Sequence, residues 1–407
     1  MRSVNLQFIN KIYNEEEGGI LMRFIHMADV HFDSPFTVLA SRENLANERR
    51  LEQRKAFADA IEYIKENQIP FLFISGDLYE QKYIRKSTIE YINNLFKEIP
   101  NTQIFITPGN HDPFLVNSFY TTFKWNDNVT IFDSEIKIVE TEEADIYGFG
   151  FTDFYCENSQ IEKINIKNKN KINILIAHGS LDASRTLDMQ YNPLNSNKLK
   201  EIGFDYAALG HIHKANFEEN KNNFIYPGSL ISFGFDELGE HGFLDVEINK
   251  NNSEINNLIN LKINNNNLNN SEINKNNLKI NKKIKFIKAD KRVFEEIKLN
   301  ISEINSEEEL IEEIKNIKTD KQKNYKVILE GYKNTEINLN KIQKMVLNET
   351  ILKVKDFSKM KYDINELANQ NNLKGVFINR ILQKEQEGIC TKEEMEEAIE
   401  IFINALK

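Results

Sequence analysis

The sequence predicts an α/β protein in which helices cover both faces of a layered sheet. Between residues 22 and 248, short apolar runs rich in β-branched and aromatic residues recur, as is typical of buried strands. Amphipathic segments with helical spacing lie between the first of these runs. Alternation of strand and helix is typical of layered α/β domains, because helices bury the apolar faces of a sheet.

Five apolar runs predict the central strands, and each is followed by polar residues. The runs are 24–28, 71–74, 104–106, 172–177 and 206–209. Two amphipathic helices are predicted between the first three strands. Their apolar faces are Leu51, Ala56, Phe57, Ala60, Ile61 and Ile64, ending before Pro70, and Ile89, Ile92, Leu95 and Phe96, ahead of the strand that ends at Pro108. Three β-like stretches, 224–226, 230–235 and 242–248, predict a second, more antiparallel sheet packed on the first.

Residues 1–21 are predicted to lie outside the fold, as an N-terminal extension that is either disordered or not translated. Glu15 to Gly19 would be encoded by a purine-rich run that resembles a bacterial ribosome-binding site, and Met22 follows directly before the first strand. We therefore expect translation to start at Met22 and the first domain to span 22–248. Residues 249–284 consist largely of Asn, Lys and Ile, a low-complexity insert that predicts a long loop or a loose hairpin.

A small α+β capping module is predicted over residues 285–345. Strands at 293–301 and 325–329 flank a helix at 307–317. Residues 346–407 are predicted to be a helical segment that docks a partner, and the last helix begins with a capping box, Thr391 with Glu394. The docking face consists of Met395, Ala398, Ile399 and Phe402. The alternative is that this face packs within the module itself.

Composition bounds the class of protein. The 407 residues suffice for two or more domains. No apolar run approaches the ~20 residues of a membrane span, and the N-terminus lacks the layout of a secretion signal, so we expect a cytoplasmic protein without a membrane partner. The net charge of −10 argues against strong non-specific nucleic-acid binding by this chain alone, although bound metal ions dominate the field near a site. Cys156 and Cys390 are expected to be buried or incidental thiols.

Polar motifs directly after the strands carry the chemistry. Ligands at the carboxyl ends of strands in an open α/β sheet converge on one crevice. Carboxylate, imidazole and amide groups together are typical of a two-metal site, and this mixture suits manganese or iron better than magnesium or structural zinc. A purely structural role would leave so many buried polar groups without partners. The motifs are Asp29-x-His31, Gly76-Asp77, Gly109-Asn110-His111-Asp112, His178 and Gly210-His211-x-His213.

Through these motifs the chain resembles the calcineurin-like metallophosphoesterase superfamily. The resemblance implies a layered β-sandwich metallophosphoesterase fold with helices on both faces and a small α+β capping module. Within the superfamily the chain is most similar to SbcD-type DNA repair exonucleases, and His31 to Phe36 point to the YhaO-like subgroup. Residues 22–248 carry most of the resemblance. The further motifs are Tyr226-Pro227-Gly228-Ser229, Phe233-Gly234, Glu237 and Gly242-Phe243-Leu244.

The resemblance implies a role for each motif residue. Asp29, His31 and His213 would hold one divalent metal ion, with Mn²⁺ expected and Fe²⁺ as the alternative. Asn110, His178 and His211 would hold the second ion, and Asp77 would bridge the two. His111 would contact the scissile phosphate and protonate the leaving oxygen, with Asp112 orienting its ring. The Asn/Lys/Ile insert departs from the family pattern and leaves open how the later modules are arranged.

Three functions compete at this point. The leading hypothesis is a manganese-dependent DNA exonuclease subunit in DNA repair, whose partners would be DNA, an SbcC-like coiled-coil ATPase of the SMC type and a second copy of the chain. The alternative is a phosphatase or phosphodiesterase for small molecules or nucleotides, which the acidic charge favours and the C-terminal modules disfavour. A non-enzymatic scaffold is disfavoured because no ligand position is substituted. The motifs are compatible with either exonuclease or endonuclease activity, and with either DNA or RNA as the substrate.

Three further residues are interpreted as structural. His26 lies inside the first strand and is expected to be a core histidine or to support a ligand. His241 follows a glycine-containing turn and is expected to be exposed and incidental. Trp125 is expected to pack rather than to stack on a nucleobase.

Overall fold

The structure, a computed structural model, divides into two compact units, Met1–Lys291 and Arg292–Lys407. The residues that the structure describes are 13–14, 19–36, 39, 43–183, 191–217, 223–251 and 279–406.

The first unit contains two sheets and their covering helices. Its strands are β1 (Tyr13–Asn14), β2 (Gly19–Met27), β3 (Phe71–Ser75), β4 (Gln103–Thr107), β5 (Val129–Ile131), β6 (Lys137–Glu140), β7 (Ala144–Gly148), β8 (Ile172–His178), β9 (Tyr206–Gly210), β10 (Phe224–Ile225), β11 (Gly242–Asn251) and β12 (Lys279–Lys288). Its helices are α1 (Glu43–Glu66), α2 (Lys86–Lys97), α3 (Phe119–Thr122) and α4 (Ser196–Ile202), with a 3₁₀ turn at Ile161–Lys163.

The first sheet has the strand order β12-β11-β2-β3-β4-β5, with β1 beside β2. Strands β2 to β5 are parallel, whereas β11 and β12 are antiparallel to their neighbours. Every residue of β3 is buried, as is usual for parallel strands with both faces covered. The carboxyl ends of β2, β3 and β4 therefore lie side by side at one edge.

The second sheet has the order β10-β9-β8-β7-β6, and only β6 is antiparallel to its neighbour. The prediction of a more antiparallel second sheet is therefore wrong. Strand β11 joins the first sheet instead, because alternate residues Leu244, Val246 and Ile248 point into the same core as Phe24 of β2. The segment 230–235 forms no strand.

The two sheets pack face to face around one apolar core. Phe24 and Phe73 of the first sheet meet Ile174 and Tyr206 of the second, and the ring centroids of Phe24 and Tyr206 lie 5.1 Å apart. Helix α1 buries Phe57 and its apolar face on the first sheet, although Leu51 is 68% exposed and does not belong to that face. Leu199 of α4 packs with Leu175 and Leu209 on the outer side of the second sheet. Helices thus cover both outer faces, as predicted.

The N-terminal boundary differs from the predicted one. Strand β2 begins at Gly19, its residue Ile20 pairs with Lys250, and the Ile20 side chain packs against the core. Residues 13–14 pair with the start of β2. The expectation that residues 1–21 lie outside the fold is therefore wrong for these segments, because β11 is long enough to pair with residues ahead of Met22. Residues 1–12 and 15–18 lie outside the described part of the chain.

The low-complexity insert is flanked by a long antiparallel pair. Strands β11 and β12 pair from Gly242 with Lys288 to Asn251 with Lys279, while residues 252–278 lie outside the described residues. Just after β12, both carboxylate oxygens of the buried Asp290 lie 2.9 Å from the guanidinium of the buried Arg49 in α1. The first unit therefore ends after Lys291. The predicted boundary at 284/285 falls inside β12.

The second unit contains a three-stranded parallel sheet, β13-β14-β16, and a two-stranded one, β15-β17. Strand β16 pairs with β14, so the predicted boundary at 345/346 cuts through one sheet. The helical part begins later, at Ile364. The elements are β13 (Val293–Asn300), α5 (Glu307–Asn316), β14 (Lys323–Glu330), β15 (Tyr332–Lys333), α6 (Leu339–Val346), β16 (Ile351–Asp356), β17 (Lys359–Met360), α7 (Ile364–Ala368), α8 (Leu373–Gln386) and α9 (Lys392–Ala405).

Helix α9 begins with the predicted capping box. Glu394 N donates to Thr391 Oγ1 at 3.2 Å, and Thr391 N donates to Glu394 Oε2 at 2.7 Å. The face predicted to dock a partner is largely internal, because Met395 and Ile399 are buried against Ile378 of α8. The alternative, packing within the module, is the one that the structure shows for these two residues.

Candidate metal centre

The seven predicted metal ligands lie at or just beyond the carboxyl ends of β2, β3, β4, β8 and β9, at one edge of the sandwich. Contacts between the two sheets bring the loops together. His178 Nδ1 lies 2.9 Å from the Ser75 carbonyl oxygen at the end of β3. His211 N donates to both carboxylate oxygens of Asp29 at 3.0 and 3.1 Å. The carboxyl ends of both sheets therefore form a single site, as expected for ligands in α/β sheets.

The backbone of these loops adopts left-handed conformations at four of the predicted ligands. Asp29, His31, Asp77 and His211 have φ values of 52°, 50°, 52° and 104°. Such conformations are costly for residues other than glycine and concentrate at functional sites. Here tertiary hydrogen bonds hold two of them, since Asp29 N donates to Gly76 O at 3.1 Å and His31 N donates to Asp77 O at 2.8 Å.

The ligands form two groups. In the first, His31 Nε2 lies 3.1 Å from His213 Nε2, and His213 Nε2 lies 3.9 Å from Asp29 Oδ1. These three residues have ligand atoms close enough to share one ion. All three are buried or half-buried.

In the second group, Asn110 Oδ1 lies 3.0 Å from His178 Nε2 and 3.2 Å from His211 Nδ1. Asp77 stands between the groups, because its Oδ2 lies 3.2 Å from His178 Nε2 and 3.7 Å from His31 Nε2. The structure thus places one carboxylate within reach of an imidazole from each group.

The donor set of the second group is suited to a cation. His178 Nδ1 faces a carbonyl oxygen, which places the ring hydrogen on Nδ1 and leaves a lone pair on Nε2. That lone pair meets oxygens of Asp77 and Asn110, which are also acceptors. Burial alone lowers the pKa of His178, but the Asp77 carboxylate outweighs burial and raises the pKa to about 9. A positive charge is therefore favoured at this point, whether a proton or a metal ion supplies it.

His211 is suited to binding a metal ion as a neutral imidazole. Burial and the charge of His178 lower the pKa of His211 to about 3, so its ring stays neutral. A neutral imidazole is the form that ligates metals.

The close packing around His178 depends on Gly76, whose φ is +89° and whose Cβ, if present, would collide with the His178 ring. Only glycine at this position leaves His178 the room to reach Ser75 O.

Two carboxylates contact the Nδ1 atoms of predicted ligands, and the sequence analysis assigned no role to either of them. Glu80 Oε1 lies 2.8 Å from His31 Nδ1, and Glu237 Oε1 lies 2.6 Å from His213 Nδ1. Each carboxylate fixes the hydrogen on Nδ1, so that Nε2 is the ligating nitrogen. Glu237 belongs to the sequence motifs of the resemblance but carries no role there, and Glu80 follows Asp77 in the same turn. The positions of Glu80 and Glu237 in the sequence do not indicate which histidine each carboxylate contacts.

His111 and Asp112 do not act as a pair. His111 Nδ1 lies 2.9 Å from Glu80 Oε2, and the His111 side chain is 45% exposed. Asp112 is buried and accepts hydrogen bonds from the backbone N–H groups of Gly109 (2.7 Å) and Leu78 (2.7 Å). Its Oδ2 also accepts from the Tyr120 hydroxyl at 2.6 Å. The expectation that Asp112 orients His111 is wrong, because the turn directs the Asp112 side chain inward.

The residues interpreted as structural give mixed outcomes. His26 is fully buried, 3.0 Å from Tyr206 Oη, and Trp125 packs against Phe96, so both predictions are confirmed. His241 is only 4% exposed, and its Nδ1 lies 2.9 Å from Ser229 Oγ. The prediction of an exposed His241 is wrong, because the turn before it folds back onto the loop of Ser229. Cys156 and Cys390 are free, half-buried thiols.

Comparison with known proteins identifies a domain in the first half of the chain. Residues 22–215 match the family described as calcineurin-like phosphoesterase. The chain carries a calcineurin-like metallophosphoesterase domain. Its two packed sheets with helices on both outer faces are the layered fold that the sequence motifs implied. Among the described residues, no helix is long and apolar enough to cross a membrane.

Two curated relatives match part of the chain at moderate identity. YhaO of Bacillus subtilis, an uncharacterized metallophosphoesterase, is 27% identical over 237 residues, which cover 56% of this chain and 57% of YhaO. The SbcD component of the nuclease SbcCD from Staphylococcus epidermidis is 26% identical over 268 residues, covering 56% of this chain and 67% of that relative. The match with YhaO thus spans little more than half the length of that relative.

Solved structures resemble the chain only distantly. Purple acid phosphatase PPD1 from yellow lupin (Lupinus luteus) seeds has a TM-score of 0.33 and 12% identity, covering 57% of this chain and 52% of that chain. The protein TT1561 of Thermus thermophilus has a TM-score of 0.31 and 10% identity, covering 55% of this chain and 94% of that chain. The family assignment depends on the sequence match and not on these scores.

Proposed function

We propose that this chain is a two-metal-dependent phosphodiesterase that cleaves DNA, as the exonuclease subunit of a DNA repair complex. The observation that carries the proposal is the position of Asp77 between the two ligand groups, where its Oδ1 accepts a hydrogen bond from the backbone N–H of the half-exposed His111. The relative from S. epidermidis, which is named as part of a nuclease, supports a nucleic acid as the substrate class.

The seven ligands are suited to two divalent ions, of which we propose Mn²⁺, with Fe²⁺ as the alternative. Nitrogen and oxygen donors are mixed in each group, a combination that magnesium and structural zinc do not prefer. When bound, a metal pair supplies an activated water and charge stabilisation for the phosphoryl oxygens. Asp29, His31 and His213 would hold one ion, and Asn110, His178 and His211 the other, sharing Asp77.

His111 would supply the proton that the leaving oxygen needs. Glu80 engages its Nδ1, so Nε2 is the ring nitrogen left to meet substrate. Asn110 and His111 are neighbours with different tasks, since the Asn110 amide oxygen faces His178 and His211. A positioned acid of this kind contributes roughly 10²–10⁴-fold to the rate.

We further propose an SbcC-like ATPase as partner, bound through the exposed side of helix α8. Leu373 and Val376 are 63% and 67% exposed. Phe402 stacks on Phe377 with ring centroids 3.9 Å apart, at the edge of the same surface. This surface replaces the face of Met395 and Ile399, which is buried.

Partner binding is tested by charging each face of the helical module. Val376→Glu should abolish co-purification with the ATPase and leave phosphodiester hydrolysis unchanged, because the side chain points to solvent. Met395→Glu should instead lower the melting temperature, because it places a charge in the module's own core. Full co-purification of Val376→Glu with the ATPase would refute this surface.

The substrate is tested by direct assay. Purified protein with Mn²⁺ should hydrolyse linear duplex or single-stranded DNA, and Asp77→Ala should bind neither metal ion and be inactive, because the two cations lose their shared carboxylate. Elemental analysis gives the metal content. Hydrolysis of bis-p-nitrophenyl phosphate without any hydrolysis of DNA would favour a small-molecule phosphodiesterase, which the net charge of −10 would suit.

A further inference from the structure

A row of aromatic rings leads away from the metal centre on the His211 side. The ring centroids of His178 and His211 lie 5.3 Å apart, and those of His211 and Tyr191 lie 5.0 Å apart. Tyr155 follows at 6.0 Å from Tyr191, with the two rings tilted by 34°. The row therefore begins on two candidate ligands and ends on Tyr155, which is 58% exposed.

The backbone beneath the two tyrosines is fixed on both sides. Ser180 N donates to the Tyr191 carbonyl at 3.0 Å, which ties Tyr191 to the end of β8. Asn192 N donates to the Cys156 carbonyl at 2.6 Å, and Cys156 forms an isolated parallel bridge with Tyr191. Two rings on tied backbone lose little further conformational freedom when a ligand stacks on them.

Packing alone explains the aromatic ring of Tyr191 but not that of Tyr155. Tyr191 is half-buried and covers one face of His211, which is reason enough for an aromatic ring at that position. Tyr155 contacts no ligand residue among the ring contacts of the described chain, and most of its surface faces solvent. Single exposed aromatic residues are common. An exposed ring at the end of a row of rings that starts at the candidate metal centre is a more specific indication of a binding surface.

We propose that Tyr155 and Tyr191 form a stacking platform for a nucleobase beside the scissile phosphate. This inference rests on the proposed function and defines its substrate class, nucleic acid with accessible bases. Stacking on tyrosine accepts every base, because each base has a π-face, so the platform selects nucleic acid without reading sequence. Stacking also supplies binding affinity that does not depend on a basic groove, which suits a chain with a net charge of −10.

The test compares a short oligothymidylate with its fully abasic counterpart of the same length and charge. Wild type should cleave the base-bearing strand with a kcat/KM about 5- to 150-fold higher, the range that one stacked base provides. Tyr155→Ala should lose this preference without a change in rate on the abasic strand or in metal content. Tyr155→Phe keeps the ring and should keep the preference. Tyr332→Ala, at a 44% exposed tyrosine of the second unit, is the matched control.

Two results would overturn the platform. One is equal cleavage of both strands by wild type, and the other is an equal loss on both strands in Tyr155→Ala together with lost metal, which shows a structural role. Binding of both strands to His111→Ala, followed by fluorescence anisotropy, separates this inference from the proposed function. If wild type cleaves no DNA, the proposed function fails, while a base preference in binding that Tyr155→Ala removes still supports the platform and its absence refutes it.

Discussion

Glu80 Oε2 lies 2.9 Å from His111 Nδ1, and the other oxygen of the same carboxylate lies 2.8 Å from His31 Nδ1. One side chain thus couples the half-exposed imidazole of His111 to the buried imidazole of His31, a predicted metal ligand. Burial alone raises the pKa of Glu80, but the hydrogen bonds from His111 and His31 outweigh burial and lower the pKa to about 2. Glu80 therefore stays ionised and can accept a hydrogen bond from both rings.

Glu80→Gln should lower both activity and metal affinity. A glutamine has one acceptor oxygen and one donor nitrogen, so it can accept from only one of the two Nδ1–H groups. We expect a loss of about 10–100-fold in metal affinity or activity, as for other residues that support a metal ligand. Isothermal titration with Mn²⁺ and steady-state kinetics measure the two effects. Glu140→Gln, on an exposed ion pair with Lys167, is the matched control, and identical behaviour of both variants would contradict the role of Glu80.

His111→Ala should keep both metal ions and lose catalysis. No coordination bond is removed, yet the proton donor is gone, so the rate should fall on the order of 10²–10⁴-fold. His178→Ala should lose a metal ion together with activity, because its Nε2 faces Asp77 and Asn110. Elemental analysis of both variants distinguishes the two roles. A metal site emptied in His111→Ala, or a rate within a few-fold of wild type, would show that the assignment is wrong.

Asp112→Asn should primarily lower the free energy of unfolding and not the rate of the reaction. The carboxylate accepts from Gly109 N, Leu78 N and the Tyr120 hydroxyl, and an amide nitrogen facing one of these donors leaves it unsatisfied. A buried unsatisfied donor costs about 1–3 kcal/mol. Urea denaturation should therefore show a lower free energy of unfolding, whereas Tyr120→Phe, which removes one donor only, should cost less. Unchanged stability with lost activity would restore the orienting role that the sequence suggested for Asp112.

Deleting residues 1–21 should destabilise the first unit. The deletion removes the start of β2, where Ile20 pairs with Lys250 and packs against the core. The lost burial and hydrogen bonds are worth about 1–3 kcal/mol, a few degrees in melting temperature. Calorimetry of the two truncations measures this, and removing only residues 1–18, which keeps β2 whole, should cost less. Equal melting temperatures for the full chain and the 1–21 deletion would support Met22 as the functional start.

The sequence by itself determined the layered α/β fold and the set of side chains at the candidate metal centre. Strands β2, β3, β4, β8 and β9 each contain a short apolar run, and a polar motif lies at the carboxyl end of each strand. Strand formation and burial depend on local pattern, and parallel neighbours bring their carboxyl ends together whatever the loops between them. The structure accordingly brings all seven predicted ligands together, although they span residues 29 to 213.

Only the tertiary structure decided which carboxylate serves which histidine. Asp112 is adjacent to His111 in the sequence but turns inward to the backbone of Gly109 and Leu78, while Glu80 arrives from another strand end. The sheet to which β11 belongs and the burial of His241 were decided in the same way. Such contacts join residues far apart in sequence, and their geometry depends on turns and strand register that no local periodicity specifies.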